Sequence, residues 1–364
     1  MILQIEPWID QEELKQLKRV VDSTFVVEHK LTKEFEEKIC ELTGAKYAIA
    51  MTNGTVALFC CLKALGIGPG DEVIVPNITF IATANAVIMA GATPVLCEVD
   101  KDTFCIDMSH AEECVTERTK AIMPVHLYGQ SANIPSLQQF ATKYGVKIIE
   151  DAAQGTGVLY NNKHVGTFGE LGILSFYGNK TITCGEGGVV LTDDEELRNR
   201  CYRLKNHGRD GKGTFKHYHI GYNFCFTEMQ AAIGLAQLKK LPKIIQKKKE
   251  IHDLYYERLG YLGKNLVPTP SVPECTPVHW FTSFLTPHKK ELAAFLRESD
   301  IQTREFFYPL DKQPCYDRGH VKKVGDYETS MNIFDKGISL PSSYNLSAED
   351  QIQVINSVER FFRE

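Results

Sequence analysis

Through the first 240 or so residues, short apolar runs alternate with stretches in which apolar positions recur every three or four residues. The runs lie at 47–51, 72–76, 93–99, 121–126, 147–151, 173–177 and 188–192, and several are almost wholly apolar. Strands covered on both faces read this way. The helical spacing predicts helices over 55–65, 82–90, 134–144 and 194–204, between most of the strands. The stretch 171–192 is an exception, because no clear helix separates its last two strands. The alternation predicts an α/β layer fold with a mostly parallel sheet. Further on, 228–241 and 244–259 read as two helices broken at Pro242. Residues 267–277 hold four prolines and read as a connector. A smaller α+β unit follows, with strands 280–285 and 302–307 and helices 289–299 and 348–362. A boundary near residue 243 divides the chain into a large domain, 1–242, and a small one, 243–364.

Composition narrows the picture by exclusion. At roughly 150 residues per domain, 364 residues fit about two domains. A hydrophobic fraction of 43% and a charged fraction of 24% exclude disordered and fibrous classes. Lys+Arg number 41 and Asp+Glu 46, a net of −5, which is no electrostatic signature for nucleic acid or an anionic membrane. The longest basic run, Lys247-Lys248-Lys249, reads as a solvated helix face. No stretch approaches the ~18 apolar residues of a membrane helix. The opening Met1-Ile2-Leu3-Gln4-Ile5-Glu6 has no basic region or apolar segment of a secretory signal. The eleven Cys form no CxxC pair and no Cys/His set at zinc spacing. They read as reduced thiols in a cytoplasm, with no metal site. Cys60-Cys61 read as core packing.

Three features carry chemistry. Asn53-Gly54-Thr55 follows a strand and opens a helix. A helix N-terminus offers free N–H groups, glycine admits a ligand close to the backbone, and threonine adds a hydroxyl. The same residues also make an ordinary N-cap. Neither a Walker loop nor a GxGxxG fingerprint is present. Glu150-Asp151-Ala152-Ala153-Gln154 sits at a strand C-terminus, where open α/β sheets place ligand groups, and an acid there can hold a cationic ring nitrogen or, equally, cap a helix N-terminus. Ser175-Phe176-Tyr177-Gly178-Asn179-Lys180 leaves a buried strand and leads to Gly185-Glu186-Gly187-Gly188. Desolvation at that exit lowers a lysine's pKa and makes it a nucleophile for Schiff-base formation. A phosphate cradle, an acid and a lysine at strand ends of one sheet are what pyridoxal phosphate requires.

Those stretches resemble the DegT/DnrJ/EryC1/StrS family of pyridoxal-phosphate-dependent sugar aminotransferases. The resemblance continues through Gly66-Ile67-Gly68-Pro69-Gly70-Asp71-Glu72-Val73-Ile74-Val75-Pro76, Thr79-Phe80-Ile81-Ala82-Thr83-Ala84-Asn85, Pro124-Val125-His126-Leu127-Tyr128-Gly129-Gln130 and Gly221-Tyr222-Asn223. Within the family, Phe176-Tyr177-Gly178-Asn179-Lys180 is most similar to the perosamine synthetases. The resemblance implies fold type I, aspartate aminotransferase-like, with a central seven-stranded mostly parallel sheet and a smaller C-terminal α+β domain. It implies that Lys180 carries pyridoxal 5'-phosphate, passing through pyridoxamine 5'-phosphate, and that Asp151 pairs with the pyridine nitrogen. Gln154 then lies near the ring's phenolic oxygen and Phe80 stacks on the ring face. Gly54, Thr55 and Ser175 bind the phosphate, joined by Asn223 from a second subunit of a homodimer with shared sites. Arg304 and Tyr308 approach the nucleotide-sugar.

The implied reaction moves an amino group from L-glutamate to the 4-keto group of a nucleotide-linked 4-keto-6-deoxyhexose, for glycan or O-antigen biosynthesis. Lys180 serves as covalent anchor and as general acid and base. Alternatives on the same fold are a 3-keto aminotransferase and a sugar dehydratase, though dehydratase relatives replace the lysine with His. A regulator without turnover is a further alternative, against which the intact Lys180, Asp151 and Gln154 stand. One departure bears on the sugar. The family usually carries a Gly before the Phe-Glu pair, here Phe35-Glu36, whereas this chain reads Val26-Val27-Glu28-His29-Lys30.

Overall fold

The computed structural model describes residues 1–211 and 215–363. Two helices absent from the sequence reading come first, α1 (Gln11–Ser23) and α2 (Lys30–Thr43). Asp10 and Glu13 close a capping box at the start of α1, which satisfies two of the free N–H groups there. The alternating region follows: β1 (Tyr47–Met51), α3 (Gly54–Ala64), β2 (Glu72–Pro76), α4 (Ala82–Met89), β3 (Thr93–Cys97), β4 (Thr119–Ile122), α5 (Ile134–Tyr144), β5 (Lys147–Asp151), β6 (Leu171–Ser175), β7 (Gly188–Thr192) and α6 (Glu195–Lys205). β4 is shorter than the predicted run. Beyond it lies Pro124, which has no N–H for a ladder. The chain there keeps contact with β5 through the carbonyl of Pro124, which accepts from the Asp151 N–H at 2.9 Å.

The seven strands form one sheet in the order β1-β7-β6-β5-β4-β2-β3. Only β7 runs against its neighbours, β1 and β6. This is the stretch without a crossover helix, and a parallel return needs one. Because β7 enters where β1 and β6 leave, its first residue Gly188 stands opposite both Met51 and Ser175. A side chain on Gly188 would come within 2.4 Å of the Asn53 carbonyl oxygen. Glycine therefore lets β7 lie directly against the start of α3.

The break at Pro242 does not occur. Residues Glu228–Leu259 form one helix, α7, with a capping box from Thr227 and Gln230. An interior proline costs about 3 kcal/mol. Against that, α7 buries Leu235, Leu241, Ile244, Ile251, Tyr255 and Leu259 in two different cores, each side chain contributing about 1.5–3 kcal/mol. The basic run on α7 is corrected as well, since Lys248 is only 2% exposed.

Nor is the proline-rich passage only a connector. Its first residues form β8 (Val267–Pro268), and Cys275–Thr276 pairs with Leu159–Tyr160 in a small separate sheet. β9 (Thr282–Leu285), helix α8 (Lys289–Glu298), β10 (Arg304–Glu305), helix α9 (Glu328–Lys336), β11 (Gly337–Leu340) and helix α10 (Ala348–Arg363) complete the chain. The order β8-β9-β11-β10 makes a four-stranded antiparallel sheet. Its core joins Phe284, Ile338 and Leu340 to Tyr255, Leu292, Leu296, Val354 and Ile355. Among the described residues, no helix is long and apolar enough to cross a membrane.

Candidate active site

A cavity of about 770 Å³ opens at the edge where β1, β5 and β6 end. Its floor comes from the large sheet. Asn53 caps α3, its side chain accepting from the Val56 N–H at 3.0 Å, so the first amides of α3 face the cavity end of the helix. A side chain on Gly54 would lie 3.2 Å from the Ser175 hydroxyl oxygen. Gly54, Thr55 and Ser175 thus form one cradle on the floor of the cavity. Thr83 donates its hydroxyl to Asp151 Oδ2 at 2.8 Å, and the Ala153 N–H donates to Oδ1 at 3.1 Å. Burial pushes the Asp151 carboxyl up, while Thr83, Ala153 and the Lys180 charge oppose the shift. The floor therefore holds a carboxylate that gains from a cationic partner.

Lys180 lines the same cavity. Burial lowers its amine to about 8, Asp151 pulling it back up and Arg304 pushing it further down. An amine near 8 has an appreciable neutral fraction at physiological pH, as nucleophilic attack and proton transfer require. Gln154 accepts the Tyr128 N–H on its Oε1 at 2.7 Å, which leaves the amide NH₂ to donate elsewhere. The neighbouring Glu150 has a supporting task. It accepts from the amides of Gly166 at 2.8 Å and Gly169 at 2.8 Å and from His126 Nε2 at 2.9 Å. Burial alone would raise its pKa, but His126 and these amides hold it below the usual value.

The opposite wall comes from the C-terminal part of the chain, and most of it escaped the sequence reading. Trp280 sits with its ring centroid 4.4 Å from Lys180 Nζ, and its indole N–H donates to the Asn179 carbonyl at 2.7 Å. Arg304 and Phe307 complete the wall. The Arg304 guanidinium lies 5.2 Å from the Phe281 ring centroid. Phe307 stacks on Tyr128, and its N–H donates to the Tyr128 hydroxyl at 3.0 Å. Trp280 and Phe307 looked like ordinary strand residues, and nothing local marks them otherwise.

Gly54, Thr55, Phe80, Asp151, Gln154, Ser175, Lys180 and Arg304 all line the cavity. Phe80 is 54% exposed, its ring 6.0 Å from that of Phe307. Tyr308 does not line it. It is 41% exposed, with its ring edge against Phe334. Asn223 is exposed and also outside the wall of its own chain's cavity, its main chain bridging to Asn206. Among the described residues, none from 26–30 lines the cavity. There Val27 bridges to Thr227, and Glu28 pairs with the buried Lys205 at 2.9 Å. Away from the cavity, the fold joins donors that the sequence spacing did not connect. Cys97, His110 and Cys114 place their ligand atoms within 4.8 Å of one another. Both thiols donate to main-chain carbonyls, of Asp107 at 3.4 Å and Leu96 at 3.5 Å.

The model of the DegT/DnrJ/EryC1/StrS aminotransferase family matches residues 7–359. A GDP-perosamine synthase of Vibrio cholerae is 36% identical over 368 residues, covering 100% of this chain and 99% of its own. One of Escherichia coli O157:H7 is 37% identical, covering 98% of this chain and 97% of its own. The crystal structure of S. venezuelae DesV in complex with a ketimine intermediate superposes with a TM-score of 0.92 at 30% identity, covering 100% of both chains. The fold is the expected fold type I, and the chain belongs to the DegT/DnrJ/EryC1/StrS aminotransferase family.

Proposed function

We propose that this protein transfers an amino group from L-glutamate to the 4-keto group of a nucleotide-linked 4-keto-6-deoxyhexose, with pyridoxal phosphate held in the cavity. One observation carries the reading: the Lys180 amine, brought to about 8, shares a cavity with Asp151 and the cradle of Gly54, Thr55 and Ser175. These residues fit the cofactor. The cradle offers backbone and hydroxyl donors where a Cβ on Gly54 would crowd Ser175, and the buried Asp151 carboxyl, pushed up by burial, gains from a cationic ring nitrogen beside it. Bound there, pyridoxal phosphate supplies an electron sink for a carbanion and a carrier for the amino group.

The chain's own residues supply the rest. Asp151, oriented by Thr83 and Ala153, stabilises positive charge on a ring nitrogen. Thr55, Ser175 and the start of α3 hold a phosphate dianion. Lys180 would hold the cofactor's aldehyde through its amine and, once displaced by the amino donor, that amine would take and return the proton that moves at the substrate carbon. Arg304 meets a substrate anion with a guanidinium. The sugar half of the reading rests on the GDP-perosamine synthases, 36% and 37% identical. We also infer two lobes, 1–242 and 243–364, with α7 passing between them, in a homodimer in which Asn223 completes the partner's phosphate site. Asn223 is exposed, which suits a contact with a second copy. The membrane and nucleic acid have no part in this reading.

The test supplies glutamate with GDP-, UDP- and dTDP-linked 4-keto-6-deoxyhexoses and identifies the aminated sugar by mass. Amination at C4 of one of them is expected; no amination of any of them overturns the reading. Mixing Lys180→Ala with an inactive Asn223 variant tests the shared site. Exchanged dimers regain activity if Asn223 serves the partner, and none if it serves its own subunit.

A further inference from the structure

We propose that Lys248 is a positioning residue for amino transfer: it fixes the main chain of Trp280, whose indole closes one side of the space around the Lys180 amine. The inference rests on Lys180 being the reactive amine. Lys248 lies in the middle of the basic run on α7, yet is only 2% exposed. Its Nζ donates to the carbonyl oxygens of Trp280 at 3.0 Å and Ser342 at 2.9 Å. These acceptors belong to two separated segments, one entering β9 and one leaving β11. No carboxylate pairs with the amine among the described residues, and burial alone brings it down to about 7. An amine that far from water is costly without dedicated acceptors, so its place between two main-chain carbonyls is a specific attachment.

From Trp280 the connection runs directly to the cavity. The indole N–H donates to the carbonyl of Asn179, the residue before Lys180, at 2.7 Å. The ring stacks on Phe281 at 4.0 Å between centroids. Lys180 Nζ lies 4.4 Å from the Trp280 centroid, and the Arg304 guanidinium 5.2 Å from that of Phe281. One aromatic pair therefore faces both cations of the cavity, and Lys248 holds the backbone that carries it. A cation over an indole face keeps its attraction only while the ring stays in register with it. Small displacements at a reacting centre cost rate more than affinity.

The experiment uses the holoenzyme in a Trp8→Phe background, in which Trp280 is the one remaining tryptophan of the two in the sequence. Lys248→Met keeps the length of the side chain and removes its donors. The expected result is a red-shifted Trp280 emission, easier quenching by acrylamide and a kcat about tenfold lower or less, with KM for the sugar nucleotide little changed. A stability role alone would lower Tm and leave Trp280 emission and kcat at the native temperature unmoved. Loss of kcat without a change at Trp280, or a change at Trp280 without loss of kcat, overturns the proposal. Should Lys248→Met fail to fold, Trp280→Leu decides: a kcat equal to that of the parent overturns it. Failure of the functional reading is separate, because it shows as undiminished turnover by Lys180→Ala whatever Trp280 reports.

Discussion

The floor and the wall of the cavity are built in different ways. The floor residues Gly54, Thr55, Asp151 and Ser175 stand at the ends of β1, β5 and β6 or one turn beyond, and the register of a single sheet sets their spacing. The wall residues Trp280, Arg304 and Phe307 come from a separate antiparallel sheet and its approaches, held by long-range bonds such as Trp280 to Asn179 and Phe307 to Tyr128. The two sides also act on Lys180 in opposite directions. Asp151 on the floor raises the amine's pKa, and Arg304 on the wall lowers it. The floor carries the carboxylate and the hydroxyl donors, whereas the wall carries aromatic rings and the guanidinium that opposes Asp151 at Lys180.

Removing the group that both sides act on has the largest effect. Lys180→Ala is expected to abolish the yellow absorbance of the loaded protein and to lower turnover by ~10²–10⁴-fold through lost acid–base function alone. Absorbance and a glutamate half-reaction check this. Asp151→Asn, which strikes the floor, is expected to lower kcat by about 10²–10³-fold while the cofactor still binds.

The pKa of Lys180 gives a sharper comparison. Below about 8 the amine is protonated, so capture of pyridoxal phosphate by the cofactor-free protein is expected to slow about tenfold per pH unit as pH falls. Above it the rate levels off. Asp151→Asn removes a raising influence and moves that midpoint down, whereas Arg304→Gln removes a lowering influence and moves it up. A stopped-flow pH series on the three proteins reads both shifts. If they move the same way, the opposition of floor and wall is wrong. In Arg304→Gln, kcat/KM for the sugar nucleotide is also expected to fall about tenfold, the value of one charge-assisted contact.

Gly188→Ala tests the packing under the floor. The added methyl meets the Asn53 carbonyl carbon and oxygen at 2.5 and 2.4 Å, and overpacking of this kind costs about 1–3 kcal/mol. A lower Tm and weaker cofactor binding are expected, since the start of α3 must shift. The smallest effect belongs to Tyr308→Phe. The ring lies outside the cavity against Phe334, so kcat/KM within about twofold of the parent is expected, in the range of surface substitutions. A large loss there would bring Tyr308 into the wall through a closing motion.

By itself the sequence determined the seven strands of the large sheet, the missing crossover helix before β7 and the positions of the floor residues, while the antiparallel direction of β7 came from the fold. The first three follow from local pattern: apolar runs of strand length, a missing crossover helix, and polar motifs directly after strand ends. Contacts between distant segments decided the rest. Pro242 lies inside one helix because burial on both sides of it outweighs a local cost. Lys248 is buried although Lys247 and Lys249 beside it are not, since one position of the three points at the carbonyls of Trp280 and Ser342. Trp280 and Phe307 become cavity walls only when the second sheet docks. Tyr308, adjacent to Phe307, faces away for the same reason. A hydrophobic period shows which face of an element is covered, but the identity of the covering segment depends on packing between residues from about thirty to nearly two hundred positions apart.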